Sequence, residues 1–456
     1  MGMQTILHDI PSHLTTLIDT LRAKLRNADF LARHRVRPQD FTRERQLTFP
    51  VMMLFILQKT IKSIQRHLHE FLDELAGESV FEPVSSGAVT HARAKLKHSA
   101  FIELNKEAVL PVAYAPDQNQ RTQTWRGHRL LGIDSSLSRL PNAQEIGQAF
   151  GWVEVSNQKG ATGTRYPEGR ISVVYDVLNR LGLDARLESS RLGEVALAME
   201  QLEQLSCGDI LINDRGFSGY LYLASVLNAG AHFIGRCSTG SFLAAQEMFR
   251  LNRATQSKVL WLHAPADQKS ECRRLGLPLK MKVRFLSVRL STGELEVLAT
   301  SLLDEALYPT EEFLRVYHWR WGHETFYLML KSRLDLENFS GLTAEAVRQD
   351  FHATVLLSNL ESILSQPLQE AMSERHLPGT QPLQVNRANC YHALKDQMLD
   401  LLYRDIPAAQ VIEKLMQFFA GSPVAVRPDR KAPPRRKKPS YHRSYNFQRR
   451  LKKIVF

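Results

Sequence analysis

The sequence of 456 residues has few cysteines and no long apolar run. The cysteines form no CxxC pair, which argues against a zinc ribbon or a disulfide framework, and scattered cysteines are usually buried as small hydrophobic residues. They are Cys207, Cys237, Cys272 and Cys390. The most apolar stretch, residues 49–57, is too short to cross a bilayer, and residues 1–11 lack the basic start and apolar run of a signal peptide. We therefore expect a cytoplasmic protein with no membrane partner.

Acidic residues are scarce in the last part of the chain. Residues 427–453 contain twelve Lys or Arg and a single acid, Asp429, so that +11 of the formal net charge of +12 lies in this Pro-rich tail. Basic residues mixed with aromatic residues favour nucleic acid as the partner, and a solubilising tail is the alternative interpretation. The densest basic run consists of Arg435, Arg436, Lys437 and Lys438.

Residues 317–331 are both aromatic and charged. On a helix of about 100° per residue, four polar side chains fall within an arc of about 60°, and apolar side chains including Trp319, Phe326 and Leu330 lie opposite. A solvated face with an Arg320–Glu324 pair is one interpretation. Because the aromatic residues predict a buried helix, the carboxylate would need cationic, metal or hydrogen-bonding partners. The four polar residues are Tyr317, Arg320, Glu324 and Lys331.

Two aspartates follow apolar runs that predict buried strands. Residues 129–134 end at Asp134, and residues 209–214 end at Asp214, directly before Arg215. Acids at strand ends that precede loops are common positions for functional sites. Together with Glu324 they offer only hard oxygen ligands, which suit Mg²⁺ or Mn²⁺ better than zinc.

The sequence resembles the insertion-sequence transposases of the Asp-Asp-Glu superfamily, over residues 128–360. The resemblance rests on the spacing Tyr-x2-Arg-x3-Glu-x6-Lys, which Tyr317, Arg320, Glu324 and Lys331 match in full, and on the two upstream aspartates. It implies that Asp134, Asp214 and Glu324 are catalytic and bind metal. The signature's Tyr, Arg and Lys are then DNA-contacting residues, with Arg215 and Arg236 as weaker candidates near predicted strand ends.

Residues 126–236 have the periodicity of an α/β unit. Three strands, a helix, a strand, a helix and a strand are predicted in that order, which is the order of a ribonuclease-H-like core. The segment 238–303 is too long for a loop and contains strand-like runs at 258–263, 280–290 and 295–301. We interpret it as a β-strand-rich insertion. In similar proteins such an insertion grips the transposon end, which makes Trp261 a DNA-contact candidate, although a core tryptophan is the alternative.

Residues 1–120 are predicted to be helical. A glycine-containing turn at 83–87, followed by a basic helix, is typical of a helix-turn-helix, though a plain helical hairpin has the same pattern. The basic residues are Arg93, Lys95 and Lys97. In similar proteins this region recognises the element's ends. We therefore predict an end-binding domain at 1–120, a catalytic domain at 121–370, and C-terminal helices with the basic tail at 371–456.

The resemblance implies a bacterial-type transposase, associated with the nucleoid, that cuts DNA at its element's ends and joins the 3′ ends to target DNA. Double-stranded DNA is then the partner, two Mg²⁺ or Mn²⁺ ions are the cofactors, and a homodimer forms the paired-end complex. Two alternatives stay open. One is a metal-dependent nuclease of the same fold that does not join strands, and the other is a non-catalytic DNA-binding relic, against which the intact acids argue.

Overall fold

The computed structural model describes residues 10–43, 45–60, 62–77, 83–115, 122–157, 160–290, 292–332, 336–375 and 380–426. The basic tail with its run at 435–438 lies outside these residues. The chain forms two units. We call Gln120–Ser138 with Glu168–Leu328 the sheet unit, and Met1–Asn119, Arg139–Pro167 and Met329–Phe456 the helical unit. The fold class is mixed α/β, with a large sheet and many helices.

The centre of the sheet unit is parallel. Strand β1 (Leu130–Arg139) pairs with β5 (Ile210–Asn213), and β5 pairs with β6 (His232–Arg236), both in parallel. The first four residues of β1, all of β5 and the centre of β6 are buried, as is usual for the middle of a parallel sheet. On one side β1 neighbours β3 (Gly160–Asp176), which pairs antiparallel with β4 (Leu181–Ser189). The predicted order of strands and helices is present, with α9 (Glu194–Gln201) and α10 (Tyr220–Asn228) as the helices.

The segment between β6 and the signature residues extends the same sheet. Strands β7 (Ser257–His263), β8 (Lys280–Arg289) and β9 (Leu295–Thr300) lie at the predicted positions, and β9 pairs antiparallel with β6. Two helices that we did not predict also lie here: α11 (Leu243–Leu251) and α12 (Lys269–Arg274). Lys280, Lys282 and Arg284 alternate with apolar residues along β8. Arg284 is nevertheless buried, and its guanidinium donates to the Tyr308 carbonyl oxygen at 2.6 Å.

A buried apolar cluster joins this sheet to helix α13 (Glu312–His318). Leu130, Ile212 and Ile234 come from the three parallel strands, and Phe313 and Tyr317 come from α13. Burial of such side chains contributes about 1.5–3 kcal/mol each. The cluster therefore fixes the signature residues against the strands that carry the aspartates.

The helical unit begins with a series of helices near the predicted positions. They are α1 (Ser12–Arg26), α2 (Ala28–His34), α3 (Phe49–Leu57), α4 (Ile64–Ala76), α5 (Ser86–Arg93), α6 (Ser99–Leu104) and α7 (Leu110–Ala113), with a π-helical turn at Asn105–Val109 before the last. Pro50 lies in the first turn of α3, where its missing N–H costs nothing. Helix α8 (Gln144–Phe150) and strand β2 (Trp152–Asn157) also belong to this unit, and neither was predicted.

A long helix, α15 (Ala344–Glu374), forms the core of the helical unit. The Thr343 hydroxyl accepts a hydrogen bond from the Ala346 N–H and so caps the start of the helix. It packs against α3 and α6 and also against α16 (Arg387–Asp396) and α18 (Ala408–Ala420). Helix α17 (Met398–Leu402) and a short hairpin of β10 (Leu383–Gln384) and β11 (Val424–Ala425) complete the unit. N-terminal and C-terminal helices thus share one core around a helix that we had placed in the catalytic domain.

Candidate active site

Asp134 lies within β1, which continues to Arg139, and not at a strand end as expected. The Ser135 N–H donates to its Oδ1 at 2.8 Å, and the Tyr327 hydroxyl donates to its carbonyl oxygen at 2.6 Å. Burial raises the pKa of the Asp134 carboxyl to about 6, and nearby Asp214 acts in the same direction. A partly buried acid beside another acid is a position that a cation would stabilise.

Asp214 is the first residue after β5, as predicted, and a turn of 3₁₀ helix, Arg215–Phe217, follows it. The Tyr317 hydroxyl lies 3.5 Å from its Oδ1, which makes a long hydrogen bond. Burial raises the pKa of the Tyr317 hydroxyl, so this group stays a neutral donor.

The signature residues lie on two helices and not on the single helix that we predicted. Helix α13 ends at His318, and α14 (Trp321–Ser332) begins after a tight turn. Trp319 and Arg320 lie in that turn, where Arg320 N–H donates to the Tyr317 carbonyl oxygen at 3.1 Å. The turn changes the faces that the charged residues occupy, so Arg320 is buried whereas Glu324 is exposed.

Arg320 is the central cation of the site. Arg320 is 7% exposed, and its guanidinium carbon lies 5.5 and 5.4 Å from the ring centres of Tyr317 and Trp321. Nη1 is 3.0 Å from Glu324 Oε1, and the charge of Arg320 also acts on Asp134 and Asp214. The i,i+4 pair is therefore real, but its cation is held inside the protein and is not part of a solvated face.

Aromatic packing holds α14 against the sheet. His323 is buried and stacks on Tyr175 of β3 and on Tyr327, with ring centres 5.7 and 5.0 Å apart. Burial lowers the pKa of His323 to about 3, so the ring is neutral. A Cβ at Gly132 on β1 would lie 3.0 Å from His323 Nδ1, so this glycine permits the close approach of the helix.

The acids fit a hard divalent cation by their chemistry. Asp134 and Asp214 act on each other electrostatically, the pKa of Asp134 is raised by burial, and all the donors are carboxylate oxygens. Among the described residues, which include Glu324, no three Asp, Glu, His or Cys side chains are grouped closely enough to hold a metal ion. Glu324 is instead paired with Arg320.

The other predicted contact residues of the sheet unit differ in their surroundings. Arg215 is exposed directly after Asp214. Arg236 is ion-paired with buried Glu296 at 3.0 Å, so its charge is already partly neutralised. Lys331 is half-buried near the end of α14, in the part of that helix that belongs to the helical unit.

Trp261 is 52% exposed on β7, so the core interpretation is wrong. The ammonium groups of Lys280 and Lys282 on β8 lie 5.1 and 5.3 Å from its ring centre. Leu243 and Phe285 line a cavity of about 760 Å³ beside it. An aromatic face flanked by cations is a typical surface for stacking of a nucleic-acid base.

The basic helix of the helical unit needs one correction. Helix α5 has a Ser85 cap and follows α4, but Arg93 on it is buried, and its Nη2 is 2.7 Å from Asp350 Oδ1. Arg93 also donates to Gln349 and Ser340, and is therefore a structural residue and not a DNA contact. The sequence pattern did not separate this inward-facing cation from its neighbours.

Lys95 lines an open groove of about 1220 Å³ beside α5, whereas Lys97 donates to the Arg33 carbonyl oxygen at 3.0 Å. We call the surface formed by Arg43, Arg45, His91 and Lys95 the basic groove. Of its described lining residues, Asp40 is the one acid, and it is buried. Sequence reasoning missed Arg43 and Arg45 because they lie in an irregular segment before α3.

Comparison with known proteins identifies the family of this chain. The sequence profile described as "Transposase DDE domain" matches residues 125–360, more than half of the chain. The chain therefore belongs to the DDE transposase family, which confirms the resemblance at the level of the family. No protein of curated function matches the sequence. Among solved structures the chain is similar to a piggyBac transposase in a synaptic complex with hairpin DNA, at 11% identity over 88% of this chain and 85% of that chain, with a TM-score of 0.40. Nothing about activity follows from so distant a likeness.

Among the described residues, no helix is both long enough and apolar enough to span a membrane.

Proposed function

We propose that this protein is a DNA transposase that binds its element's ends, cuts there, and joins the freed 3′ ends to target DNA. The observation that carries the proposal is the buried Arg320 of a DDE-family chain, whose charge acts on Asp134, Asp214 and Glu324 together. Phosphoryl transfer depends on carboxylates for metal and on fixed cations for phosphate, and this site offers both.

We further propose a ribonuclease-H-like catalytic core. The parallel strands β1, β5 and β6 and the antiparallel β3 and β4 have the strand order that this core requires. The extension through β9, β8 and β7 is then an addition to the core sheet at its far edge.

Asp134, Asp214 and Glu324 are the residues that would hold two Mg²⁺ or Mn²⁺ ions. When bound, such ions supply a nucleophile from water or a 3′-hydroxyl and stabilise the departing oxygen. Asp134 becomes ionised more easily when a cation offsets its burial. Holding a metal would require Glu324 to leave its partner Arg320, and the Arg320 guanidinium would then be available to a phosphate oxygen of the DNA.

Tyr317 orients Asp214 through its hydroxyl, and Lys331 is a second phosphate contact on α14. Arg215, which is exposed directly after Asp214, contacts the DNA backbone beside the cleavage site. Arg236 is a weaker contact because it is already paired with Glu296. Trp261, with Lys280 and Lys282, stacks on a base near the cleavage site.

The helical unit binds the element's end through the basic groove. Lys95 was predicted to contact DNA and lines this groove, together with Arg43 and Arg45. Arg93 is not part of the DNA-binding surface, because it is bonded to Asp350. The tail with Arg435, Arg436, Lys437 and Lys438 adds affinity without regard to sequence. A homodimer holds the two ends together.

The groove can be tested by charge removal. Arg45→Ala and Lys95→Ala should each weaken binding of end DNA and lower the slope of log affinity against log salt by about 0.9 for each phosphate that the variant no longer neutralises. Arg66→Ala is the matched control, since Arg66 is an exposed cation of α4 in the same unit that pairs with Glu70. Equal decreases in affinity for all three variants would remove the groove from the DNA interface.

The function itself is tested with DNA taken from both sides of the gene. Purified protein should cut this DNA in Mg²⁺ at a terminal inverted repeat, and should join the ends to a plasmid target. Cutting without joining would identify the nuclease, and binding without cutting would identify the relic. Absence of binding, cutting and joining would contradict the proposal.

A further inference from the structure

Another acid of the sheet unit, Glu194, lies beside Ser135, the residue that follows Asp134. It is the first residue of α9, and its carboxylate Oε2 accepts a hydrogen bond from the Ser135 hydroxyl at 3.1 Å. The same Ser135 oxygen accepts from Arg170 Nη1 at 2.8 Å, and this Nη1 is 3.8 Å from Glu194 Oε2. These three side chains therefore form a closed cluster in which each contacts the other two.

The cluster lies against both segments that carry the aspartates. Ser135 follows Asp134 on β1, and its main-chain N–H donates to Asp134 Oδ1 at 2.8 Å. On the other side, a Cβ placed on Gly216 would lie 3.3 Å from Glu194 Oε1. Gly216 is part of the turn that begins directly after Asp214. Glu194 thus bonds to Ser135 on one side and lies close to this turn on the other.

Simple helix capping does not account for this carboxylate. An acid in the first turn of a helix is favoured by the helix dipole, but no side-chain cap is present at Gly193 and the carboxylate bonds to Ser135 instead. Packing does not require it either, because the Glu194 side chain is 44% exposed. The Glu194 carboxylate accepts a hydrogen bond from the Ser135 hydroxyl, and the Ser135 main-chain N–H donates one to Asp134.

We propose that Glu194 is a positioning residue for the metal-binding acids, acting through Ser135 to fix the Asp134 carboxylate relative to the segment after Asp214. This inference rests on the proposed metal-dependent function. Removal of an outer-shell partner of a metal ligand typically changes metal affinity by about 10- to 100-fold. Because the contact is a hydrogen bond to an acceptor oxygen, glutamine should replace Glu194 whereas alanine should not.

The experiment measures Mn²⁺ affinity by titration calorimetry on the full chain without DNA. Glu194→Ala should bind Mn²⁺ about 10-fold or more weakly than the parent, and Glu194→Gln should bind within about threefold of it. Ser135→Ala should weaken binding as Glu194→Ala does, and the double variant should bind no more weakly than the worse single variant, because both substitutions remove the same hydrogen bond. Glu200→Ala is the control on the same helix, where Glu200 pairs with Arg186 at 2.8 Å, and it should bind like the parent.

Three results would overturn the inference. If Glu194→Ala binds Mn²⁺ like the parent, Glu194 does not position the acids. If Glu194→Gln is as weak as Glu194→Ala, the charge and not the hydrogen bond matters. If the effects of the single variants multiply in the double variant, the residue does not act through Ser135. A parent protein that binds no Mn²⁺ would contradict the proposed function as well, which separates that failure from the other three.

Discussion

The hydroxyl of Tyr327 on α14 donates a 2.6 Å hydrogen bond to the carbonyl oxygen of Asp134 on β1. This bond joins the helix that carries Glu324 to the strand that carries the first aspartate. The Ser172 hydroxyl approaches the same oxygen at 3.4 Å, so Tyr327 is its closer partner. The positions of two proposed catalytic acids are therefore connected through one main-chain group.

Tyr327→Phe should lower the free energy of unfolding by about 0.5–1.5 kcal/mol, because the substitution removes a part-buried hydrogen bond to the Asp134 carbonyl oxygen. It should also slow DNA cutting, since the helix is less firmly held. Urea unfolding and a cleavage assay measure the two effects. Tyr403→Phe, at a tyrosine that is 38% exposed in the helical unit, is the control and should change neither. A variant as stable as the parent would show that the bond does not hold α14.

Arg320→Lys should slow cutting by about 10- to 100-fold, which corresponds to the roughly 1.5–3 kcal/mol of a hydrogen bond to a charged group. Lysine keeps the charge but has neither the planar fork nor the stacking between Tyr317 and Trp321. Arg315→Lys is the matched control, because exposed Arg315 lies over the Trp319 ring at 5.5 Å. Mn²⁺ affinity should be unchanged in the Arg315→Lys control. Equal rates for the parent protein and Arg320→Lys would mean that charge alone suffices.

The stability of the helical unit should depend on pH through Glu103. A hydrogen bond from Arg33 is the main cause that lowers the pKa of the Glu103 carboxyl to about 2, and His34 contributes a second one. Because the folded pKa is lowered, the stabilisation is complete above the ordinary pKa near 4.5 and is lost as pH falls toward 2.

Glu103→Gln should therefore be less stable than the parent protein at pH 6, and the difference should shrink between pH 4.5 and pH 3. Urea midpoints at several pH values measure this. Glu107→Gln, which removes a more exposed carboxylate that pairs with Lys24, is the control and should show a smaller effect. A difference for Glu103→Gln that stays constant down to pH 3 would contradict the assignment.

The strands of the sheet were predicted well where the pattern of apolar residues follows the pattern of burial. Strands β1, β5 and β6 were found because each contains an apolar run. Helices α11 and α12 were missed because they are short and lie between strands of one sheet.

Side-chain environment was harder to predict than backbone. Arg93 and Arg284 look like surface cations in sequence, yet each is buried by acceptors that are distant along the chain or lie in loops, such as Asp350 and the Tyr308 carbonyl. The break between α13 and α14 was missed because the charged spacing is equally regular on one continuous helix. Glu194 carries no motif, and only the fold brings it to Ser135.

The most direct test of the central claim compares cutting and binding in variants of the three acids. End DNA should be bound in Ca²⁺ by Asp134→Asn, Asp214→Asn and Glu324→Gln as it is by the parent protein, because none of these residues lies in the basic groove. In Mg²⁺ each variant should show no detectable cutting or joining, since loss of a carboxylate removes a metal ligand. Glu200→Gln should cut like the parent. Cutting at the parent rate by any one of the three acid variants would contradict the assignment of that residue and, if all three cut, the proposed transposase chemistry.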